Sequence, residues 1–393
     1  MRTSLFPDIH WVGYVDWNIR DFHSYKTFRG ATYNAYLIQD EKVALIDSVK
    51  KPFAANLLEN IQECVSLDKI DYVVCNHAEQ DHAGALAVIM PQLPNATLVC
   101  NARCVDALKG YADISGWKIQ TVANGDTLSL GQNTLHFLFT PMVHWPESMM
   151  TYVPEKKLLF SMDGFGQHIA SSERFDDELP LEFLIEEAKT YYANIVYPYG
   201  RQVQTTLEAA AGLEIQMIAP SHGVIWRKNL GAILEQYQKW STRTVEPKVV
   251  ILYDTMWEST EQMAQAIYEG VLTVPGVTAT LMHVRKTSLT QIATAVMDAR
   301  CVAMGSATLN TLPMPTMAAV MNYVQGLRLP VEFTVAFGSH GWGRGAVEEL
   351  TAWFAKVQWN PIGEPVKCKW RPDAETLEKC RNAGQVLGEK ARS

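Results

Sequence analysis

The chain has 393 residues, 48% of them hydrophobic and 19% charged, with a formal charge of −8. That length allows two or three domains with sizeable cores, and the negative charge argues against nucleic acid as a partner. No stretch is long and apolar enough to span a membrane. The opening Met1-Arg2-Thr3-Ser4-Leu5-Phe6-Pro7-Asp8 lacks the apolar core of a signal peptide. The seven cysteines (Cys64, Cys75, Cys100, Cys104, Cys301, Cys368 and Cys380) are odd in number and form no C-x-x-C pair. They predict reduced thiols of a cytoplasmic protein, with no disulfide frame, no iron–sulfur site and no rubredoxin module within the chain.

In chain order, the first chemically loaded segment follows a buried-strand pattern, Asp71-Tyr72-Val73-Val74-Cys75. It is His77-Ala78-Glu79-Gln80-Asp81-His82, four potential metal ligands in six residues. Imidazole and carboxylate at alternating positions on a short loop can converge, and the divergence of the first pair from the last suits two metals better than one. Three later segments repeat one context, a ligand just past an apolar strand, where loops on a rigid sheet converge. His144 follows the alternating Thr134–Phe139, Asp163 ends the apolar run from Lys157, and His222 follows Ile215–Pro220. Any one of these histidines alone reads more simply as a satisfied structural residue; three ligands in matching contexts predict a binuclear site.

A polar linker, Ser241-Thr242-Arg243-Thr244-Val245-Glu246-Pro247, then separates residues 1–244 from 245–393. The near-continuous apolar run Lys248–Asp254 opens a strand–helix alternation: helices near Thr260–Gly270, Leu289–Asp298, Met314–Gly326 and Gly345–Lys356, strands near Thr278–His283, Cys301–Gly305 and Glu332–Phe337. Such alternation predicts a doubly wound parallel sheet. Three loops at its strand ends are candidate cofactor contacts. Thr255-Met256-Trp257-Glu258-Ser259-Thr260 offers hydroxyls and a helix N-terminus, an anion cradle, although a hydroxyl-rich turn there also serves as a simple cap. Ser306-Ala307-Thr308-Leu309-Asn310 and Ser339-His340-Gly341-Trp342-Gly343 follow the third and fourth strands. Small residues admit a ring close to the backbone, and Trp342 can cover a flat face or stand as a surface aromatic.

The H-x-E-x-D-H loop resembles that of the metallo-β-lactamase fold with Glu79 in place of its second histidine, the variant carried by flavodiiron proteins. The second half resembles flavodoxin. The resemblance implies a metallo-β-lactamase-like αββα sandwich followed by a flavodoxin-like sheet, an α+β and α/β pair. It implies one iron held by His77, Glu79 and His144, another by Asp81, His82 and His222, and Asp163 bridging both. A carboxylate in the set favours iron that reaches the ferric state, and two Fe(II), three carboxylates and one hydroxide sum to a neutral core. FMN is implied in the three loops, and His23 and His168 match family residues near the substrate pocket, each open to a proton-donating or a structural role. The implied activity is reduction of NO to nitrous oxide, of O2 to water, or both, with electrons from rubredoxin or a similar carrier. A head-to-tail homodimer or dimer of dimers is the implied assembly. Two rivals stand beside this reading: a binuclear zinc hydrolase fused to a flavodoxin domain, and a sensor that binds the diatomic without turnover. Metal analysis separates the first and steady-state gas consumption the second.

Overall fold

The computed structural model describes residues 3–393. The chain divides into two compact units, Met1–Ser241 and Thr242–Ser393; the linker expected from the sequence is shorter than it read. The helix Leu230–Ser241 takes Ser241, and the next strand starts at Glu246 with Pro247 inside it. Proline is tolerated there because the ladder is irregular between Glu246 and Val249.

The first unit is built on two sheets. Seven strands lie in the order Thr3–Phe6, Ile9–Trp11, Tyr36–Ile38, Val43–Ile46, Ile70–Val74, Thr97–Asn101 and Lys118–Val122; five more run from Thr127–Ser129 through Thr134–Phe139, Met149–Val153 and Leu158–Met162 to Met217–Pro220. Side-chain alternation sorts the first sheet's residues between two cores. Ile38, Ala44, Ile46, Val74 and Val99 meet Phe137, Val153, Leu158 and Phe160 of the second sheet. Leu37, Leu45, Val73 and Leu98 instead face Leu57 and Ile61 of the helix Ala54–Gln62 and Leu108 of the helix Ala102–Lys109. Helices Leu181–Tyr191 and Leu230–Ser241 bury Leu184, Ala188, Ile233 and Tyr237, with the Tyr237 ring 4.3 Å from that of Phe165, just past the Leu158–Met162 strand.

Strand direction places the ligand loops. Leu158–Met162 and Met217–Pro220 are parallel neighbours, and Thr134–Phe139 runs the same way because Met149–Val153 between them is antiparallel to both flanks. All three therefore deliver their following loops, with His144, Asp163 and His222, to one edge of the sandwich.

The second unit is a parallel sheet in the order Thr278–His283, Glu246–Asp254, Ala299–Ser306 and Phe333–His340, with Asn360–Pro361 and Val366–Lys369 both pairing with Phe333–His340. By chain position this is the order 2-1-3-4-5 of the doubly wound class, with its ligand crevice at the carboxyl ends beside the first strand. The two short strands in the fifth place and the 19-residue helix Ala374–Arg392 carried no strong sequence signal. The helix's buried stripe is Cys380, Gly384, Leu387, Gly388 and Ala391, at helical spacing but mostly too small to register as apolar. Smallness is the point of that stripe. A Cβ on Gly384 would lie 2.0 Å from the carbonyl oxygen of Ile267, and one on Gly270 would lie 2.0 Å from that of Arg381, so Ala374–Arg392 and Ser259–Leu272 touch backbone to backbone. Gly384→Ala is therefore expected to destabilise this unit by about 1–3 kcal/mol, read as a lower denaturant midpoint, while Ala at Gly326, where nothing lies within 4 Å, leaves the midpoint in place or raises it.

Candidate metal centre and cofactor pocket

Six of the seven expected ligands are buried to 7% exposure or less, and His144 is nearly so. Their metal-facing atoms form two groups, each within 4.8 Å: His77, Glu79, His144 and Asp163, and Asp81, His82 and His222. Asp163 joins them. Its Oδ2 lies 3.1 Å from His144 Nε2 and 3.5 Å from His77 Nε2. Its Oδ1 lies 3.1 Å from His82 Nε2 and 3.6 Å from His222 Nε2. Glu79 Oε2 completes the first group at 3.1 Å from His144 and 3.2 Å from His77, and Asp81 Oδ2 completes the second at 3.2 Å from both His82 and His222.

The hydrogen bonds behind the rings show what belongs between them. His222 Nδ1 lies 2.6 Å from the carbonyl oxygen of Thr32, which can only accept. A neutral His222 thus carries its proton on Nδ1 and turns a bare Nε2 lone pair toward Asp81. His77 is held alike, with Nδ1 2.7 Å from the buried Glu147 Oε1. Neither ring nitrogen of His82 has a well-directed hydrogen bond, and Asp81 Oδ1 is buried without one. Lone pairs facing carboxylates in a dry site need positive charge among them. Protonation would supply it: burial opposes charge on His82, yet Asp81 and Asp163 outweigh burial and push its pKa up to about 9. Burial likewise opposes charge on His77, but Glu147, Glu79 and Asp163 hold it well above its usual range. Two cations satisfy the same demand without charging crowded rings, whose centroids lie 4.7 Å apart for His82 and His222. The mixed imidazole and carboxylate donors fit iron or zinc.

His23 and His168 take different places. His23 Nε2 hydrogen-bonds Glu79 Oε1 at 2.7 Å, its side chain is 62% exposed, and Glu79 raises its pKa. It lines a cavity of about 20 Å³ with Phe22, Tyr191, Ile195 and the expected ligands Glu79, Asp81, His144, Asp163 and His222. His168 is outside that lining. It is buried, stacks on Tyr25 and hydrogen-bonds its hydroxyl, and packs edge-on at 4.6 Å against His222. Burial pushes its pKa well below the usual range, so it is neutral. The sequence did not disclose Glu147, Thr32, Tyr191 or Ile195. Glu147 alone had a signal, an acidic residue three positions after His144.

In the second unit a cavity of about 330 Å³ gathers most of the expected loop residues: Met256, Trp257 and Ser259 from the first, Ala307, Thr308, Leu309 and Asn310 from the second, and Ser339, His340, Gly341, Trp342 and Gly343 from the third. Thr311 and Trp370, not foreseen, line it as well. Four residues lie outside. Glu258 caps the helix Ser259–Leu272 with φ 66°, Thr260 Oγ1 bonds Ser339 Oγ at 2.9 Å and ties two loops together, and Ser306 Oγ accepts from Met314 N and donates to Ala307 O. The Thr255 hydroxyl is buried with no partner. Trp342 is 93% and Trp257 84% exposed, an uncommon waste of apolar surface unless a flat group covers the indoles. A Cβ on Gly341 would meet Trp370 at 2.6 Å, so only glycine keeps this wall close. A ring system with an anionic tail, such as FMN, fits these features.

A family model described as ODP family beta lactamase matches residues 31–223, and a flavodoxin model matches residues 251–384. The chain is 41% identical to the anaerobic nitric oxide reductase flavorubredoxin of Escherichia coli O1:K1, across 98% of this chain and 82% of that protein. It superposes on the flavodiiron protein of Giardia intestinalis with a TM-score of 0.97 at 38% identity, covering 100% of this chain and 97% of that one. On the rubredoxin oxygen:oxidoreductase of Desulfovibrio gigas the values are 0.95 and 36%, covering 100% and 99%.

Glu147 supplies the test of the metal geometry. Glu147→Gln keeps the size but removes the charge that orients His77, and such partners typically control metal affinity about 10–100-fold. We expect the variant to yield metal to a competing chelator at correspondingly lower chelator concentration, with the far-UV circular dichroism unchanged.

Proposed function

The chain belongs to the flavodiiron protein family, and from that membership we propose that it is a diiron and FMN oxidoreductase that reduces NO to nitrous oxide, O2 to water, or both. The observation that carries the reading is Asp163, whose two oxygens are divided between two imidazole pairs. In this reading His77, Glu79 and His144 would hold one iron and Asp81, His82 and His222 the other, with Asp163 shared between the two groups. When bound, the irons and the flavin supply the redox chemistry.

The chain's own residues do the rest. Glu147 and the Thr32 carbonyl fix the tautomers of His77 and His222, so both present Nε2 inward. Phe22, Tyr191 and Ile195 wall a cavity of about 20 Å³, room for one small molecule. His23 stands at its rim, bonded to Glu79 and open to solvent, where it holds a proton close to the ligands and can exchange it with water. His168, neutral and walled off behind Tyr25, positions the His222 ring instead. In the second unit the three loops would hold FMN, and the exposed Trp257 and Trp342 would cover a flat ring.

The electron donor in this reading is a rubredoxin-like carrier, in keeping with the names of the flavorubredoxin and rubredoxin oxygen:oxidoreductase relatives. The assembly is a head-to-tail homodimer, which lets one copy's flavin serve the other's irons; closed two-fold dimers are the commonest soluble assembly. Among the described residues no helix is long and apolar enough to cross a membrane.

Protein produced with iron available is expected to hold about two irons per chain and one FMN, to consume NO or O2 steadily when supplied with reduced rubredoxin, and to elute at about twice 44.1 kDa. Two zincs, hydrolase activity and no gas consumption would overturn the redox reading. Gas binding without turnover would reduce it to a sensor. A sharper test is Asp163→Asn, since a neutral amide bridges two cations poorly. Its flavin should bleach at the wild-type rate in stopped flow, while gas consumption falls by orders of magnitude. Near wild-type consumption would remove Asp163 from the bridging role.

A further inference from the structure

Asp254 ends the first strand of the second unit, immediately before the hydroxyl-bearing loop Thr255–Thr260, and its side chain is 0% exposed. A buried carboxylate beside a loop suited to a phosphate is an electrostatic contradiction, because each repels the other in a poorly hydrated setting. Arg285 resolves it. Its Nε donates to Asp254 Oδ1 at 2.7 Å, and its Nη2 donates to the carbonyl oxygen of Thr255. The guanidinium therefore does two things in one rigid fork. It neutralises Asp254, and it ties up the first carbonyl of the loop, an acceptor dipole that an anion must not meet. Asp254 Oδ2 and the Thr255 hydroxyl remain buried without partners beside this pair, so the neighbourhood holds polar capacity that the protein alone leaves unused.

We infer that Arg285, held by Asp254, is a positioning residue that tunes the Thr255–Thr260 loop for the phosphate of the flavin rather than for its ring. This rests on the FMN reading above. It does not require Arg285 to touch the phosphate, and its side chain is 45% exposed, so its effect passes through Asp254 and the loop backbone. The pair also explains why the loop manages without the lysine of nucleotide-binding P-loops: the cation sits behind the loop, already paired.

The experiment titrates flavin-stripped full-length chain with FMN and with riboflavin, which lacks the phosphate, following flavin fluorescence. In Arg285→Gln the uncompensated Asp254 charge should weaken FMN by about 10- to 100-fold, while riboflavin affinity stays at the wild-type value. Adding Asp254→Asn removes the charge that Arg285 compensates, so the double variant should regain most of the FMN affinity. Equal losses for FMN and riboflavin would show a merely structural role and overturn the inference, as would unchanged FMN affinity in the single variant or no recovery in the double one. A wild-type chain that binds neither flavin would instead overturn the flavin reading, and the inference with it.

Discussion

Four imidazoles and three carboxylates are held at one edge of a β-sandwich with lone pairs facing lone pairs, and Asp163 shares its oxygens between the two halves of that cluster. Such an arrangement is unstable in a dry interior unless positive charge enters it. Much of the first unit answers that constraint. The two sheets bury a common core that makes their edge rigid, parallel strand ends deliver the loops to that edge, and Glu147 and Thr32 hold two of the rings from behind. Buried groups positioned this firmly pay no further ordering cost when a cation arrives, which is the physical content of preorganisation.

The most local features were the most legible in the sequence. Ligand loops follow strands, and strands of period two or continuous apolar runs are read directly, so the candidates from His77 to His222 and the first four strands of the second unit's main sheet came from pattern alone. The resemblance then implied a division of these residues between two metals, and their side chains gather in two groups joined by Asp163. Glu147 and Thr32 were illegible because their role depends on which ring nitrogen faces back into the protein, a three-dimensional fact with no spacing rule. Tyr191 and Ile195 were illegible for a related reason. They reach the cavity from the end of the helix Leu181–Tyr191 and the π-helical turn Tyr192–Val196 after it, and a widened turn shifts which residues share a face.

The C-terminal helix shows a different kind of silence. Sequence reading weighs apolar bulk, and Ala374–Arg392 docks through its lack of bulk at Gly384 and Gly388. Close backbone approach and large apolar side chains are alternative ways to bury surface, and only the second advertises itself. The same lesson separates His23 from His168. Each is a lone histidine near an aromatic residue in the sequence, yet one is exposed and paired with a carboxylate while the other is buried, neutral and paired with a tyrosine. Their chemistry differs because desolvation and a neighbouring charge shift an imidazole in opposite directions.

The two sites also differ in how they meet solvent, and that difference follows from what each must do. A centre suited to a small gas excludes water from everything but one narrow cavity, and the expected ligands are indeed buried around a cavity of about 20 Å³. The flavin of the proposed reading would instead need its ring edge within reach of another protein, because electron transfer weakens steeply with distance. The second unit accordingly leaves Trp257 and Trp342 almost wholly exposed around an open pocket of about 330 Å³. Its buried carboxylate Asp254 lies at the start of the first loop, paired with the half-exposed Arg285. Burial thus goes to the carboxylates Asp163 and Asp254, and exposure to the indoles around the second cavity.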